Sequence, residues 1–258
     1  MQNTSELYKE LLALPHTCEV SVAIGDTGKL VDDYGDYITF GGTAILVAAS
    51  GGDSGYGQNL LISCQTSRAI FADSSPSVGC CVSGTIKVQM LKPAGDIPRM
   101  ARLVPYVRLT DGVRHSEWIQ KGVYFLDTRE ISKETELEVI TLTGYDAMLK
   151  GEQYYPPSTL SWPAPDVDVV QEIAEAMGVQ VDKRTWAVMT RGYLIEYPAE
   201  YTCREVLGYI AASYGGNFVM SDLGELLLIG FAAIPKETNL LIDHAGDQIT
   251  FGGDRIIV

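Results

Sequence analysis

The chain has 258 residues, enough for one large or two ordinary domains, and its 46% hydrophobic residues are ample for a packed core. Its formal net charge of -14 excludes a nucleic-acid-coating role or attachment to an anionic membrane surface, since both reward clustered Lys and Arg. The same acidity suits a conduit wall along which DNA slides without sticking.

The opening Met1-Gln2-Asn3-Thr4-Ser5-Glu6 has neither a basic start nor an apolar stretch, so no secretory signal is visible and synthesis in the cytosol is expected. Asn3 followed by Glu6 has the form of a helix cap with a reciprocal acid, and Leu7, Leu11 and Leu14 share one face before Pro15 ends a short helix. From Cys18 to Tyr145 the period becomes two. Val20, Val22 and Ile24; Ile86, Val88 and Met90; Val123, Phe125 and Asp127; and Leu137, Val139, Thr141 and Thr143 alternate with polar neighbours, which predicts a half-buried antiparallel sheet or barrel. Gly51 to Gly57 is too glycine-rich to pack and is expected to protrude as a loop.

Tyr154-Tyr155-Pro156-Pro157 and Trp162-Pro163-Ala164-Pro165 fix several φ angles, so 151–165 is read as a linker. A helical pattern follows. Asp166 is placed to cap a helix carrying Val169, Val170, Ile173, Ala174 and Met177 and ending at Gly178, with Asp166 and Asp168 at its positive end. Thr202 and Glu205 form a capping box for a second helix with Val206, Leu207, Ile210 and Ala211 inward, ending at Gly215-Gly216. Asn217 to Ser221 and Glu225 to Ile229 then make a hairpin around Asp222-Leu223-Gly224, and Leu226 to Ile234 is too short to span a bilayer and reads as a buried strand.

The chain also nearly repeats itself: Gly35-Asp36-Tyr37-Ile38-Thr39-Phe40-Gly41-Gly42 returns as Gly246-Asp247-Gln248-Ile249-Thr250-Phe251-Gly252-Gly253. A strand, a tight Gly-Gly turn and another strand written twice predicts two related β-units, with Phe40 and Phe251 in equivalent roles. The second unit reads as truncated, so its hairpin is expected to be disordered or to pair through a free edge. The resulting division is a β-barrel domain at 1–150, the linker at 151–165, a small α+β domain at 166–235 and the start of a second β-unit at 236–258. The fold class is α+β, mainly β.

Candidate chemistry is sparse. Gly52-Asp53-Ser54-Gly55 resembles the nucleophile turn of trypsin-like proteases, but Tyr56 stands where a glycine would follow, and His16 precedes Ser54 by too little chain to build two barrels. His115 and His244 lie in polar, turn-like contexts without partners at metal-ligand spacing. Cys203 falls in the first turn of a capped helix, where the dipole favours thiolate, yet no His or Asn is near in sequence to complete a nucleophilic site. Cys80-Cys81 reads as a pair of small strand residues. The five cysteines, odd in number and irregularly spaced, read as free thiols. Glu196 and Glu200 flank Pro198 without a defined spacing. No phosphate loop, dinucleotide fingerprint or metal-binding helix motif is present, so no catalytic, cofactor-binding or metal residue is assigned and a non-enzymatic protein is expected.

Two stretches carry a family resemblance. Pro105-Tyr106-Val107-Arg108-Leu109 through Ser116-Glu117-Trp118-Ile119-Gln120-Lys121-Gly122-Val123-Tyr124-Phe125-Leu126-Asp127-Thr128-Arg129 to Thr143-Gly144-Tyr145-Asp146-Ala147-Met148-Leu149 is the first, and Tyr201-Thr202-Cys203-Arg204-Glu205-Val206-Leu207-Gly208-Tyr209-Ile210-Ala211-Ala212 with Gly215-Gly216-Asn217-Phe218 is the second. Both resemble the N-terminal region of tail proteins from phages and prophages of Gram-positive bacteria, similar to baseplate-hub or tail-tip proteins. The resemblance implies tube-type β-barrel domains with smaller α/β domains beside them, assembled as a trimer at the distal end of the tail tube. It also implies tail-tube and distal tail proteins as partners, with DNA passing unbound. Three chains with two similar β-units each would present six similar faces to a sixfold tube. The other reading is a hydrolase fragment or carbohydrate-binding module, with Tyr154, Tyr155 and Trp162 as a sugar platform.

Overall fold

The computed structural model describes residues 4–25, 56–57, 59–93, 97, 99–133 and 137–231, together with strand pairs at 28–29, 39–40, 43–44, 46–47, 250–251 and 254–255. Helix α1 (Glu6–Ala13) is capped by Ser5, whose hydroxyl accepts the Tyr8 N–H at 3.1 Å. The expected cap, Asn3, lies outside the described residues. Ser5 takes the role because Glu117, far along the chain, accepts both its N–H (2.6 Å) and its hydroxyl proton (2.5 Å), holding it in place. Leu11 is fully buried, whereas Leu14 follows the last helical residue and is exposed.

The strands that follow are β1 (Thr17–Ile24), β2 (Gly28–Lys29), β3 (Thr39–Phe40), β4 (Thr43–Ala44), β5 (Leu46–Val47), β6 (Leu61–Ser67), β7 (Thr85–Leu91), β8 (Arg102–Thr110), β9 (Ile119–Gln120), β10 (Tyr124–Ser132) and β11 (Val139–Asp146). Seven form one sheet in the order β1-β8-β10-β11-β7-β6, with β9 on β8, and every pairing in it is antiparallel. The sheet curls back on itself. Val22, on the edge strand β1, exchanges both backbone hydrogen bonds with Tyr56 (3.0 and 2.8 Å), just ahead of the opposite edge β6. Val22, Tyr56 and Leu61 accordingly share one core with Ile86, Val88 and Met90.

Two strands present the face opposite to the one expected. In β10 the inward residues are Tyr124 and Leu126, and in β11 they are Ile140 and Leu142, while Val139, Thr141 and Thr143 are half-buried. The sheet is covered on both sides here: Val123 joins Ala23 and Val104 in a second cluster, so apolar residues occur at both parities.

After a 3-10 turn at Ala147–Glu152 come β12 (Ala164–Pro165), α2 (Asp166–Met177), α3 (Lys183–Val188), β13 (Leu194–Ile195), α4 (Cys203–Ser213), β14 (Gly216–Met220) and β15 (Leu226–Gly230). Helix α4 has the full capping box, with the Thr202 hydroxyl accepting the Glu205 N–H at 3.2 Å and the Glu205 carboxylate accepting the Thr202 N–H at 2.7 Å. Helix α2 ends at Gly178 with φ +69°. Asp166, expected as its cap, is instead its first residue. It is fully buried and accepts the Tyr214 hydroxyl at 2.5 Å and its neighbour's N–H, from Val167, at 2.9 Å.

The β14–β15 ribbon gains a parallel neighbour on each edge. Gly79 N–H donates to Gly216 (2.9 Å) and Phe218 N–H to Cys80 (3.1 Å) on one side, while Leu226 N–H donates to Gln180 (2.8 Å) and Asp182 N–H to Leu226 (2.9 Å) on the other. The vicinal cysteines thus supply backbone to the small unit's sheet. Segment 151–165 is not a free connector: Tyr155 and Ala164 are buried with α2 and α4, β12 pairs with β13, and Tyr155 N–H donates to Tyr201 (2.9 Å). Its prolines lack donors, and its apolar side chains bury instead of bridging two units through solvent.

Both copies of the repeat form the same ladder. Phe40 pairs with Thr43 and Thr39 with Ala44, just as Phe251 pairs with Asp254 and Thr250 with Arg255 in β16 (Thr250–Phe251) and β17 (Asp254–Arg255). The expected state of the rest of the second copy falls outside the described residues.

Candidate functional site

Two hollows lie where the curled sheet meets the small α+β unit, on either side of the Ser221–Glu225 turn. Arg68, just past β6, organises the first. Its guanidinium donates to the Tyr124 hydroxyl (3.1 Å), to Asp222 (2.5 Å) and to the Lys121 carbonyl, and Gln120 donates its amide to the Asp222 carbonyl (2.8 Å). Burial opposes the charge of Arg68, but its bonds to Tyr124 and Asp222 more than offset this and raise its pKa. Arg204 makes a parallel tie from α4, donating to Ser83 (2.9 Å) and to the Met148 carbonyl (2.9 Å) and pairing with Glu152 (2.7 Å).

The groove beside Arg68 encloses about 780 Å³ and is floored by Val219, Leu227 and Ile229, the face of β14–β15 turned away from the core. Two of its rim arginines are paired within the chain, Arg68 with Asp222 and Arg184 with Asp182, both at 2.5 Å. The second hollow, about 390 Å³, is lined by Arg102, Val123, Phe125, Ala147, Lys150, the 178–180 turn and Leu223 to Glu225. Lys150 Nζ stands 4.1 Å from the centre of the Phe125 ring, and burial lowers its pKa.

The residues singled out in the sequence are scattered. Ser54 and His244 lie outside the described residues. His16 is exposed, with Nδ1 2.8 Å from the Leu14 carbonyl, and His115 Nδ1 lies 3.5 Å from a Glu19 carboxylate already engaged by Arg108 (2.5 Å). Glu196 and Glu200 are exposed on either side of the buried Pro198. Cys203 is fully buried, and burial raises its thiol to about 11, the reverse of the depression expected from the helix terminus. Cys81 is pushed up to about 12 by burial, partly opposed by a backbone hydrogen bond from Phe218 and the charge of Arg204. Among the described residues, no group of three or more His, Cys, Asp and Glu is placed to hold a metal ion. Also among them, no helix is long and apolar enough to cross a membrane.

The sugar platform is not presented as expected. Tyr154 is exposed, but Tyr155 is buried with its hydroxyl donating to Glu172 (2.5 Å), and Trp162 meets Tyr155 and Tyr197 at 6.0 and 5.2 Å between ring centres. Burial, followed by that bond to Glu172, raises the Tyr155 pKa. Arg68, Arg102, Lys150 and Asp222 had no motif to mark them, since the fold joins positions far apart in sequence.

No known family and no curated protein matches the chain. Among solved structures, it is similar to the 43 kDa tail protein of prophage MuSo2 from Shewanella oneidensis, at 13% identity and a TM-score of 0.47, over 81% of this chain and 52% of that one. It is also similar to a tail protein from Neisseria meningitidis MC58, at 13% identity and a TM-score of 0.45, over 82% of this chain and 51% of that one. The prophage tail protein gp18 from Listeria monocytogenes EGD-e follows at 5% and 0.41, over 88% and 64%. The chain thus spans about half the length of the first two. At these values the likeness says nothing about activity.

Proposed function

We propose that this chain is a non-enzymatic structural component of a phage or prophage tail, placed at the tail tip or baseplate hub, where it joins the tail tube to the distal attachment apparatus. The observation that carries the reading is the repeated hairpin, whose two copies share sequence and strand register. Duplicated β-units are what a threefold hub needs to meet a sixfold tube with similar faces. The residue-level resemblance supports it as well: its two stretches build β8 to β11 and the α4–β14 segment. The charge of -14 supports a DNA path that repels phosphate instead of binding it.

In this reading the protein acts in the virion tail after synthesis in the host cytoplasm. The β-unit of 1–150 stacks on tube-like rings, the α+β unit of 166–235 braces the exterior, and self-association is trimeric in the complete hub. The test is to induce the prophage, purify the particles and label them with antibody against this chain. Label at the distal tail end, with the chain co-purifying with tail-tube protein, is the expected result. Label absent from particles, or turnover of peptidoglycan by the purified chain, would overturn the reading.

A further inference from the structure

We propose that the 390 Å³ hollow beside Phe125 and Lys150 is a binding site for a monoanionic carboxylate that carries a short apolar body. The inference does not depend on the tail assignment.

Four side chains converge there for reasons of backbone geometry. Arg102 opens β8 directly opposite Phe125 of β10, so both project from the same face of the sheet, and Val123 is on that face as well. Lys150, in the 3-10 turn that follows β11, reaches over the same ring at 4.1 Å. Across the hollow run the turn after α2, Gly178 to Gln180, and the β14–β15 turn from Leu223 to Glu225.

Among the described residues, no ion pair involves Arg102 or Lys150. The Lys150 ammonium is half-buried over the Phe125 ring, and that burial lowers its pKa. Glu225 adds one negative charge to the lining, so two cations and one carboxylate leave a single positive charge. That balance suits one monoanion and disfavours a phosphate dianion. The volume far exceeds a lone carboxylate, and Val123, Phe125, Ala147, Val179 and Leu223 offer the remainder an apolar wall. Arg102 supplies a planar fork and Lys150 a point charge for the head group.

Calorimetric titration of the full chain with hexanoate tests the site, with acetate, hexanol and inorganic phosphate as comparators. Saturable one-to-one binding of hexanoate is expected, with acetate, hexanol and phosphate each weaker. Lys150→Met and Arg102→Gln should each weaken hexanoate about tenfold or more, and Lys150→Arg should recover most of the loss. Glu225→Gln should tighten it, which keeps the test decisive if a cation variant fails to fold. The ammonium of Lys150, followed by NMR, should titrate at higher pH when hexanoate is bound. Acetyl-Leu-Glu-amide distinguishes the source of the carboxylate: binding tighter than hexanoate points to an acidic segment of a partner protein, and weaker binding to a free acid. Equal binding of hexanol or phosphate, no saturable binding of hexanoate, or affinity unchanged in the folded Lys150→Met protein would overturn the proposal.

Discussion

Gly79 and Gly208 meet backbone to backbone: a Cβ on Gly79 would lie 2.9 Å from the Gly208 carbonyl oxygen, and a Cβ on Gly208 would lie 2.8 Å from that of Gly79. This seam lets the 79–81 strand lie against both α4 and β14. Gly208 is inside α4, where alanine is ordinarily favoured by about 1 kcal/mol, so the contact sets propensity against packing. Packing should win. Gly208→Ala is expected to lower stability by about 1–3 kcal/mol in urea denaturation. Gly57→Ala, whose Cβ would meet nothing within 4 Å, should change it by less than about 0.5 kcal/mol. Equal stability of Gly208→Ala and the parent would mean that α4 withdraws freely from the seam.

Asn217 secures the same region through polar contacts. It is fully buried, its carboxamide oxygen accepts the Cys80 N–H at 2.8 Å, and its amide nitrogen donates to the carbonyls of Ile70 (2.8 Å) and Ser77 (2.9 Å). Asn217→Asp removes both donors and sets a negative charge against two carbonyl oxygens. A loss of about 3 kcal/mol or more is expected in thermal or urea unfolding, with early proteolytic cleavage within 70–80. A stable variant with unchanged cleavage would show that this loop is held by other contacts.

Local signals in the sequence were legible because short-range chemistry decides them. The Thr202–Glu205 box, the Gly178 terminus and the β14–β15 hairpin, offset by one residue, all depend on neighbours a few positions away. The parity of β11 was misread because Val139, Thr141 and Thr143 are as β-prone as Ile140 and Leu142, and which set faces inward depends on what covers each side. In segment 151–165 the prolines mark turns equally well in linkers and in packed loops, so the burial of Tyr155 and Ala164 had no local signal. Both hollows were invisible: Arg68 meets Asp222, and Arg102 meets Phe125, only after the chain has folded.

Asp146 gives the fold a pH dependence. It is 4% exposed and accepts the N–H groups of Gly84 (2.7 Å) and Met148 (3.0 Å). Burial nevertheless outweighs these bonds and the nearby charges of Arg68 and Arg204, raising the carboxyl from 3.8 to about 6. A folded pKa above the unfolded one means that the native state binds the proton more tightly. The stabilising contribution is therefore complete below about pH 4 and is lost as pH rises through about 6, by about 3 kcal/mol in all. Asp146→Asn should flatten this part of the stability profile in urea titrations between about pH 4 and 7. A profile as steep in the variant as in the parent would assign the slope to other groups.

The cysteines provide a test of burial against helix polarity. Cys18 is exposed, whereas Cys203 and Cys81 are buried. Cys203 occupies the first position of α4, where the backbone favours thiolate, but its Sγ donates to the Tyr154 carbonyl at 3.9 Å and desolvation dominates, giving a pKa of about 11. Cys81 is higher still, at about 12, and half-buried Cys64 also reaches about 11 through burial. Only the thiolate attacks an alkylating agent, so a rise from 9.0 to about 11 slows reaction about a hundredfold before restricted access is counted. In native protein at neutral pH, iodoacetamide is expected to modify Cys18 in a fast phase that Cys18→Ser removes. Cys64, Cys81 and Cys203 should follow at least about a hundredfold more slowly, and urea should bring all of them to similar rates. A fast phase removed instead by Cys203→Ser would mean that the helix terminus, and not burial, governs this thiol, making the start of α4 a reactive centre.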